Sequence, residues 1–514
     1  MSRRPSFMMR TPPATPAKTP ADISVKTHAK NPQMSAAPAE TAMFLPPQTA
    51  TSLRALQLAS DTVDEGDDDE EDDENPFWGN EAPDVAIRAP STTDACSVTY
   101  TNFKHRLDDF LSSRYESYFF APAIVTPRHR SDIAALVILL DDQDDSEELP
   151  SPDDLSRIVG IEFVFVIGKG LFEGSVSSEQ SLGTRVYHHL NIMAGDSIEV
   201  KDQEIGTAGI FVKSKDKVIG ITAGRVMDGT EVGSAVIQPA LSDFKRCIRD
   251  IERKVKASRT AVLIVGPHEL DERREELEEW EKILTELVRL KGQTDSDTKA
   301  NLIVGNTIKW ELTSVEYNGR RCYCDYGTFE LVPGRTPKTN IFSGAPESST
   351  SFLDGFEWDG VQDWGEVQFD EYVRKTGRKT GLTFGVVAGV HCGFVNPAVP
   401  SPPTDEFYVL QEANEEFNQF AMKGDGGSAV ITNDGKLVGF VHCAIKITDV
   451  QIVCLPGTLT PDLRTISERR DSDGEIDLDR LWHTNLRGRK FVLVESAIMV
   501  KERANLNDAI FPNS

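Results

Sequence analysis

Between residues 424 and 441 the chain runs through Gly424-Asp425-Gly426-Gly427-Ser428, the apolar Ala429-Val430-Ile431, the polar Thr432-Asn433-Asp434-Gly435-Lys436 and the apolar Leu437-Val438-Gly439-Phe440-Val441. Asp-Gly between two apolar runs demands the twisted two-residue turn of a β-hairpin, so Ser428–Ile431 and Leu437–Val441 are expected to pair. Glycines on both sides of Asp425 force a tight corner ahead of the first strand. Such a corner is found in many loops that enter strands. It is also the frame on which a protease hangs a nucleophile, because the nucleophile needs a sharp turn beside backbone N–H groups that can hold an oxyanion.

Other segments extend the β reading. Val218-Ile219-Gly220-Ile221-Thr222 is an apolar strand running into Ala223-Gly224-Arg225-Val226, with Gly206–Val212 as its hairpin partner. Cys324-Asp325-Tyr326-Gly327-Thr328-Phe329-Glu330-Leu331 is a further strand, and Val373–Val387 holds two more around Thr376-Gly377-Arg378-Lys379-Thr380-Gly381. In these segments and this order the chain resembles the trypsin-like (chymotrypsin-fold) serine proteases, particularly their diverged intracellular fungal forms, over about residues 196 to 465. The resemblance implies a mainly β fold: a chymotrypsin-like double β-barrel with a helical insertion, preceded by a small α/β module and a disordered N-terminal tail. It also places Arg225 where the family has its catalytic histidine, Asp325 at the acid, Gly426 at the nucleophile, and Gly424, Asp425 and Gly426 in the oxyanion loop.

Those substitutions remove the usual chemistry. An arginine stays protonated up to a pKa of about 12 or more and accepts no proton from a hydroxyl. Glycine has no side chain to attack with. Loss of base or nucleophile alone removes about six orders of magnitude of turnover. Ser428 is the rescue candidate for a nucleophile, but it lies two residues past the corner and reads better as structural. His391 and His442 are candidate substitute bases, yet each lies in an apolar, strand-like segment that favours a hydrogen-bonded core or surface histidine; His268 lies on the insertion. If base and acid positions face each other as in the family, Arg225 and Asp325 form an ion pair.

Three function classes follow. The first is a catalytically inactive serine-protease homologue acting as a peptide- or protein-binding or regulatory module. The others are an active serine-type endopeptidase with non-standard catalytic residues, and an acidic chaperone-like interaction protein. No cofactor and no metal site is expected, and the partner is an unidentified protein or peptide. Residues Phe417–Lys423, ahead of the corner, line a specificity pocket if the resemblance holds.

Charge and composition frame the remainder. Residues 1–95 are rich in Pro, Ala, Thr and Ser and are expected to be disordered. They carry Thr-Pro at residues 11, 15 and 19, which suits a proline-directed kinase, and ten acidic residues between Asp64 and Glu74, read as a solvated spacer or a site for basic partners. The formal net charge of −27 argues against nonspecific nucleic-acid binding. With no early apolar signal core and no 18-residue apolar run, an intracellular, cytoplasmic or nuclear location without membrane insertion is expected. Seven scattered cysteines without CxxC spacing suit reduced thiols.

Residues 96–195 alternate helical and strand patterns, as a separate module or an extension of the first barrel. The double barrel is expected over 196–470 and a C-terminal extension over 471–514, where Lys490–Ser496 reads as a strand. The insertion spans 241–299. There Leu270, Leu277 and Leu284 recur every seven residues, with Trp280 and Leu287 three positions after the latter two. This is amphipathic helix spacing: it suits a hairpin packed on Phe244–Val255, or self-association through residues 270–290.

Overall fold

Short runs of Val, Ile, Phe and Thr separated by Gly, Asn and Pro give strands through most of the chain, since β-branched and aromatic side chains fit a pleated, half-buried surface. The computed structural model describes residues 85–127, 132–142, 148–159, 163–174, 191–200, 205–266, 268–337, 360–396, 402–411, 420–454, 486 and 489–512. The acidic run, the Thr-Pro sites and the rest of the N-terminal tail lie outside these residues. Among the described residues the architecture is mainly β, with two large sheets and six helices: α1 (Ala95–Ser112), α2 (Pro152–Val159), α3 (Leu241–Ile264), α4 (Leu270–Leu290), α5 (Asp295–Leu302) and α6 (Ala497–Arg503).

The first sheet has seven strands, in the order Ile205–Thr207, Ser197–Val200, Ala235–Ile237, Ile303–Tyr317, Arg320–Leu331, Lys217–Thr222 and Ile210–Ser214. The predicted partner of the Val218 strand is in place, with Ile210 opposite Ile221. In the second sheet, of twelve strands, six pair in a closed cycle: Tyr372–Gly377, Gly381–Val387, Thr404–Leu410, Lys490–Ser496, Lys436–Cys454 and Ala429–Thr432. Closure leaves no free edge within that cycle. The hairpin at Asp434-Gly435 forms as read, with Ile431 opposite Leu437 and Gly435 at φ 81°. Lys490–Ser496 finds its partners in Thr404–Leu410 and Lys436–Cys454.

Residues 118–174 neither stand apart nor extend the first sheet; they continue the second. Tyr118–Pro127 pairs with Cys392–Val395, and Val164–Gly174 pairs with the distal half of Lys436–Cys454. The reason is the length of that last strand: at 19 residues it outruns the Ala429–Thr432 strand and leaves an edge to be covered. Tyr100, Phe103, Leu107 and Leu111 of α1 then close a core over Phe119, Leu139 and Phe165.

The two sheets meet through one cluster that takes Ile210, Ile221 and Tyr326 from the first, Leu382, Ile431 and Phe440 from the second, and Met499, Val500 and Phe511 from the C-terminal segment. The insertion folds as an antiparallel hairpin of α3 and α4, with Phe244, Ile248, Ile251 and Val255 packed against Leu287 and Leu290. A capping box at Thr294 and Asp297 starts α5 and returns the chain to the first sheet. No helix among the described residues is long and apolar enough to cross a membrane.

Candidate functional site

Lys217–Thr222 ends at Ala223, and a single 3-10 turn over Gly224–Met227 swings Arg225 inward. Gly224 is required there, because a Cβ would lie 2.5 Å from the Glu311 carbonyl oxygen. The neighbouring strand pairs Gly327 with Thr222, which sets Asp325 beside the turn. Asp325 Oδ1 accepts from the Arg225 backbone N at 3.0 Å, and Arg225 Nε lies 3.0 Å from Asp325 Oδ2. The side chains are 9% and 0% exposed, so this ion pair is withdrawn from water. Its alignment is poor, however: Nε and Nη2 of Arg225 and Oδ2 of Asp325 make no hydrogen bond with described residues. Burial alone would lower the Arg225 pKa, but the charge of Asp325 and the neighbouring Tyr323 and Cys443 together outweigh it and the pKa is raised. Arg225 is therefore a permanent cation.

Further polar groups surround the pair. Asp325 N donates to Glu495 Oε2 at 2.9 Å, and Tyr323 N donates to Glu406 Oε1 at 2.6 Å. His442 Nε2 stands 3.6 Å from Glu406 Oε2, and its ring centroid is 5.3 Å from that of Tyr323. Tyr323 and Asp325 come from the first sheet; Glu406, His442 and Glu495 come from the second. All five are buried. Burial first, and then the Asp325 charge, push the Glu495 carboxyl well above the ordinary range. Tyr323, Glu406 and Glu495 escaped the sequence reading. The available signal was a carboxylate inside an apolar strand, as at Phe491-Val492-Leu493-Val494-Glu495.

The glycine corner is built more tightly. Asp425 is wholly buried and accepts from Lys379 N (2.7 Å), Thr380 N (3.3 Å), Thr380 Oγ1 (2.7 Å), Met422 N (3.0 Å) and Lys375 Nζ (3.1 Å). Burial would raise its pKa, but the Lys375 charge and these donors hold it below the ordinary range. Gly424 and Gly427 take φ of 102° and 85°, whereas Gly426 is not in the left-handed region. A Cβ on Gly427 would lie 2.5 Å from Ala223 N, so the corner is seated directly against the turn that carries Arg225. Thr207 staples it down, its N donating to the Gly426 carbonyl and its Oγ1 to the Gly424 carbonyl, both at 3.0 Å. The N–H groups of Gly424 and Gly426 have no hydrogen-bond partner among the described residues. Two such donors, two residues apart on a rigid loop, can hold a carbonyl or carboxylate oxygen.

The rescue residues sit elsewhere or are occupied. Ser428 is wholly buried and its Oγ donates to the Asp425 carbonyl. His391 lies in an aromatic group, 4.5 Å from the Phe407 ring and 4.9 Å from Phe369, in contact with Arg320. Burial first, then Arg320, lower its pKa to about 3, so it is neutral at physiological pH. His268 is exposed in the turn between α3 and α4. Of the proposed pocket segment, Phe420 and Ala421 belong to the core, and 417–419 lie outside the described residues. No group of three or more His, Cys, Asp or Glu among the described residues is placed to hold a metal ion.

One contact ties the insertion to this site. Arg378, from the Thr-Gly-Arg-Lys-Thr-Gly turn, donates through Nε and Nη2 to Asp243 in the first turn of α3, at 2.6 and 2.7 Å, and both side chains are fully buried. Asp243 also accepts from Ser197 Oγ, and Arg378 N donates to Thr207 Oγ1 at 3.2 Å. The helical hairpin is thus anchored to the same threonine that holds the corner.

No family model and no curated protein matches this chain. Solved structures that match include a glutamic-acid-specific serine protease, described as using a histidine triad in substrate binding (10% identical, 62% of this chain and 100% of that one, TM-score 0.30). Thermobifida fusca Protease A (9%, 63% and 100%, TM-score 0.30) and a Cellulomonas bogoriensis chymotrypsin (10%, 63% and 100%, TM-score 0.29) also match. At these values the superpositions are too loose to argue from.

Proposed function

We propose that this chain is a serine-protease homologue of the chymotrypsin type that has lost hydrolysis, folds as two β-barrels, and acts as a peptide- or protein-binding or regulatory module. The observation that carries the reading is the buried Arg225–Asp325 pair, with a 3.0 Å contact, in a chain whose corner has glycine at position 426. A guanidinium that cannot take a proton stands beside the acid, and nothing at Gly426 can attack. The unpaired N–H groups of Gly424 and Gly426 support retention of a place for a peptide carbonyl or a chain-terminal carboxylate. The six buried cysteines among the described residues are not joined in disulfides, which suits a reducing, intracellular setting.

Restoring both groups tests the reading. Arg225→His places an imidazole beside Asp325, and Gly426→Ser adds a hydroxyl at a residue whose φ tolerates a side chain. The double variant is expected to hydrolyse activated amide or ester substrates and to be labelled by a fluorophosphonate, while each single variant and the native chain stay silent. Labelling of the native chain at serine would overturn the proposal in favour of an active peptidase.

A further inference from the structure

We propose that the α3–α4 hairpin is a homodimerisation element, in which a second copy of this chain lays its hairpin antiparallel alongside to make a four-helix bundle. Two packed helices cannot enclose their own seam. Near the base Phe244, Ile248, Ile251, Val255, Leu287 and Leu290 are buried, but Leu277, Trp280, Ile283 and Leu284 remain partly open. Leu263 and Ile264 at the tip are 84% and 77% exposed, and Val288 near the base is 50% exposed. Apolar residues are thus offered to water at opposite ends of one hairpin.

The charges are divided between the helices. The α3 helix carries seven Lys or Arg against three Asp or Glu, and α4 carries eight Asp or Glu against four Lys or Arg. On the outer face of α3, Arg253, Lys256, Thr260 and Leu263 follow at steps of three and four; on the flank of α4 the corresponding series is Glu278, Glu281, Thr285 and Val288, of which Glu281 also accepts from Arg259 of its own α3 at 2.8 and 3.0 Å. The two series have the same spacing, so a shift of about 25 residues sets base against acid, threonine against threonine and Leu263 against Val288. Arg249 against Arg274 and Asp250 against Glu275 are the like-charged pairs in that register.

Inside one chain α3 and α4 run antiparallel, and this register needs them parallel. A two-fold partner with its hairpin reversed supplies it twice over, α3 of each copy lying along α4 of the other. The tip of each hairpin then covers the base of its partner's.

The full chain should sediment as twice its 56.8 kDa mass at micromolar concentration, with weaker association in high salt. Arg253→Glu with Lys256→Glu should raise the dimer Kd by about a hundredfold or more, because like charges then face each other on both symmetric halves. Adding Glu278→Arg and Glu281→Lys to the same chain should restore the dimer, a rescue that misfolding of the first variant would not permit. A native chain that is monomeric at 100-fold higher concentration, or a dimer indifferent to Leu263→Asp and to the charge swaps, would overturn the proposal.

Discussion

Asp425 and Asp325 are both wholly buried and each faces a cation, Lys375 in one case and Arg225 in the other. Around Asp425 five donors converge from three segments, and both carboxylate oxygens are served. Around Asp325 one oxygen takes a backbone N–H, and the other meets Arg225 without an aligned hydrogen bond. The glycine corner is a structural keystone held through both oxygens of its aspartate. The Arg225–Asp325 side is a charge contact in a polar pocket with several unmet hydrogen-bonding groups. The shape of the corner is held at Asp425 and Thr207.

Replacing each pair by apolar residues tests this contrast most directly. Lys375→Met with Asp425→Leu should cost about 3–5 kcal/mol in urea unfolding, since the Met422, Lys379 and Thr380 donors lose their acceptor in a dry interior. Arg378→Met comes next. It strands the buried Asp243 carboxylate and should cost about 3 kcal/mol, with proteolysis of the α3–α4 hairpin rising in parallel.

Glu495→Gln addresses the other side of the comparison. A carboxyl whose folded pKa is raised contributes stability fully below its unfolded pKa of about 4.3, and that contribution is lost as pH climbs through the folded value. The amide removes the loss. Its Tm should therefore exceed that of the native chain at pH 8, with the gap closing toward pH 4; a gap that widens on acidification would show that Glu495 is ionised beside Asp325. The smallest effect is expected for Arg225→Met with Asp325→Leu, within about 1 kcal/mol of the native chain, because a poorly aligned buried pair roughly offsets its own desolvation. A loss equal to that of the Lys375/Asp425 replacement would erase the distinction between the two aspartates.

Much of the local structure could be read from residues. The hairpin at Asp434-Gly435, the strand leading to Arg225, the heptad spacing of α4 and the glycine corner each follow from neighbours a few positions apart. His442 reads from its segment as a core or surface histidine, and it is fully buried. The cluster it joins was not legible. Glu406 meets Tyr323 across 83 residues, Glu495 meets Asp325 across 170, and Arg378 meets Asp243 across 135. No periodicity links such pairs, and each charge alone reads as an oddity in an apolar strand or as part of a solvated helix end.

The sequence by itself determined what Arg225 and Gly426 cannot do, because both are facts of composition and no fold can give guanidinium a basic lone pair or glycine a hydroxyl. It also determined where strands, turns and amphipathic helices begin, since those obey short-range sterics and the periods of strand and helix. Only the tertiary structure decided how residues 118–174 join the second sheet, that the two aspartates are held so differently, and which charges lie on the outer face of the α3–α4 hairpin. Those outcomes depend on burial, and burial is a property of surfaces brought together from distant parts of the chain.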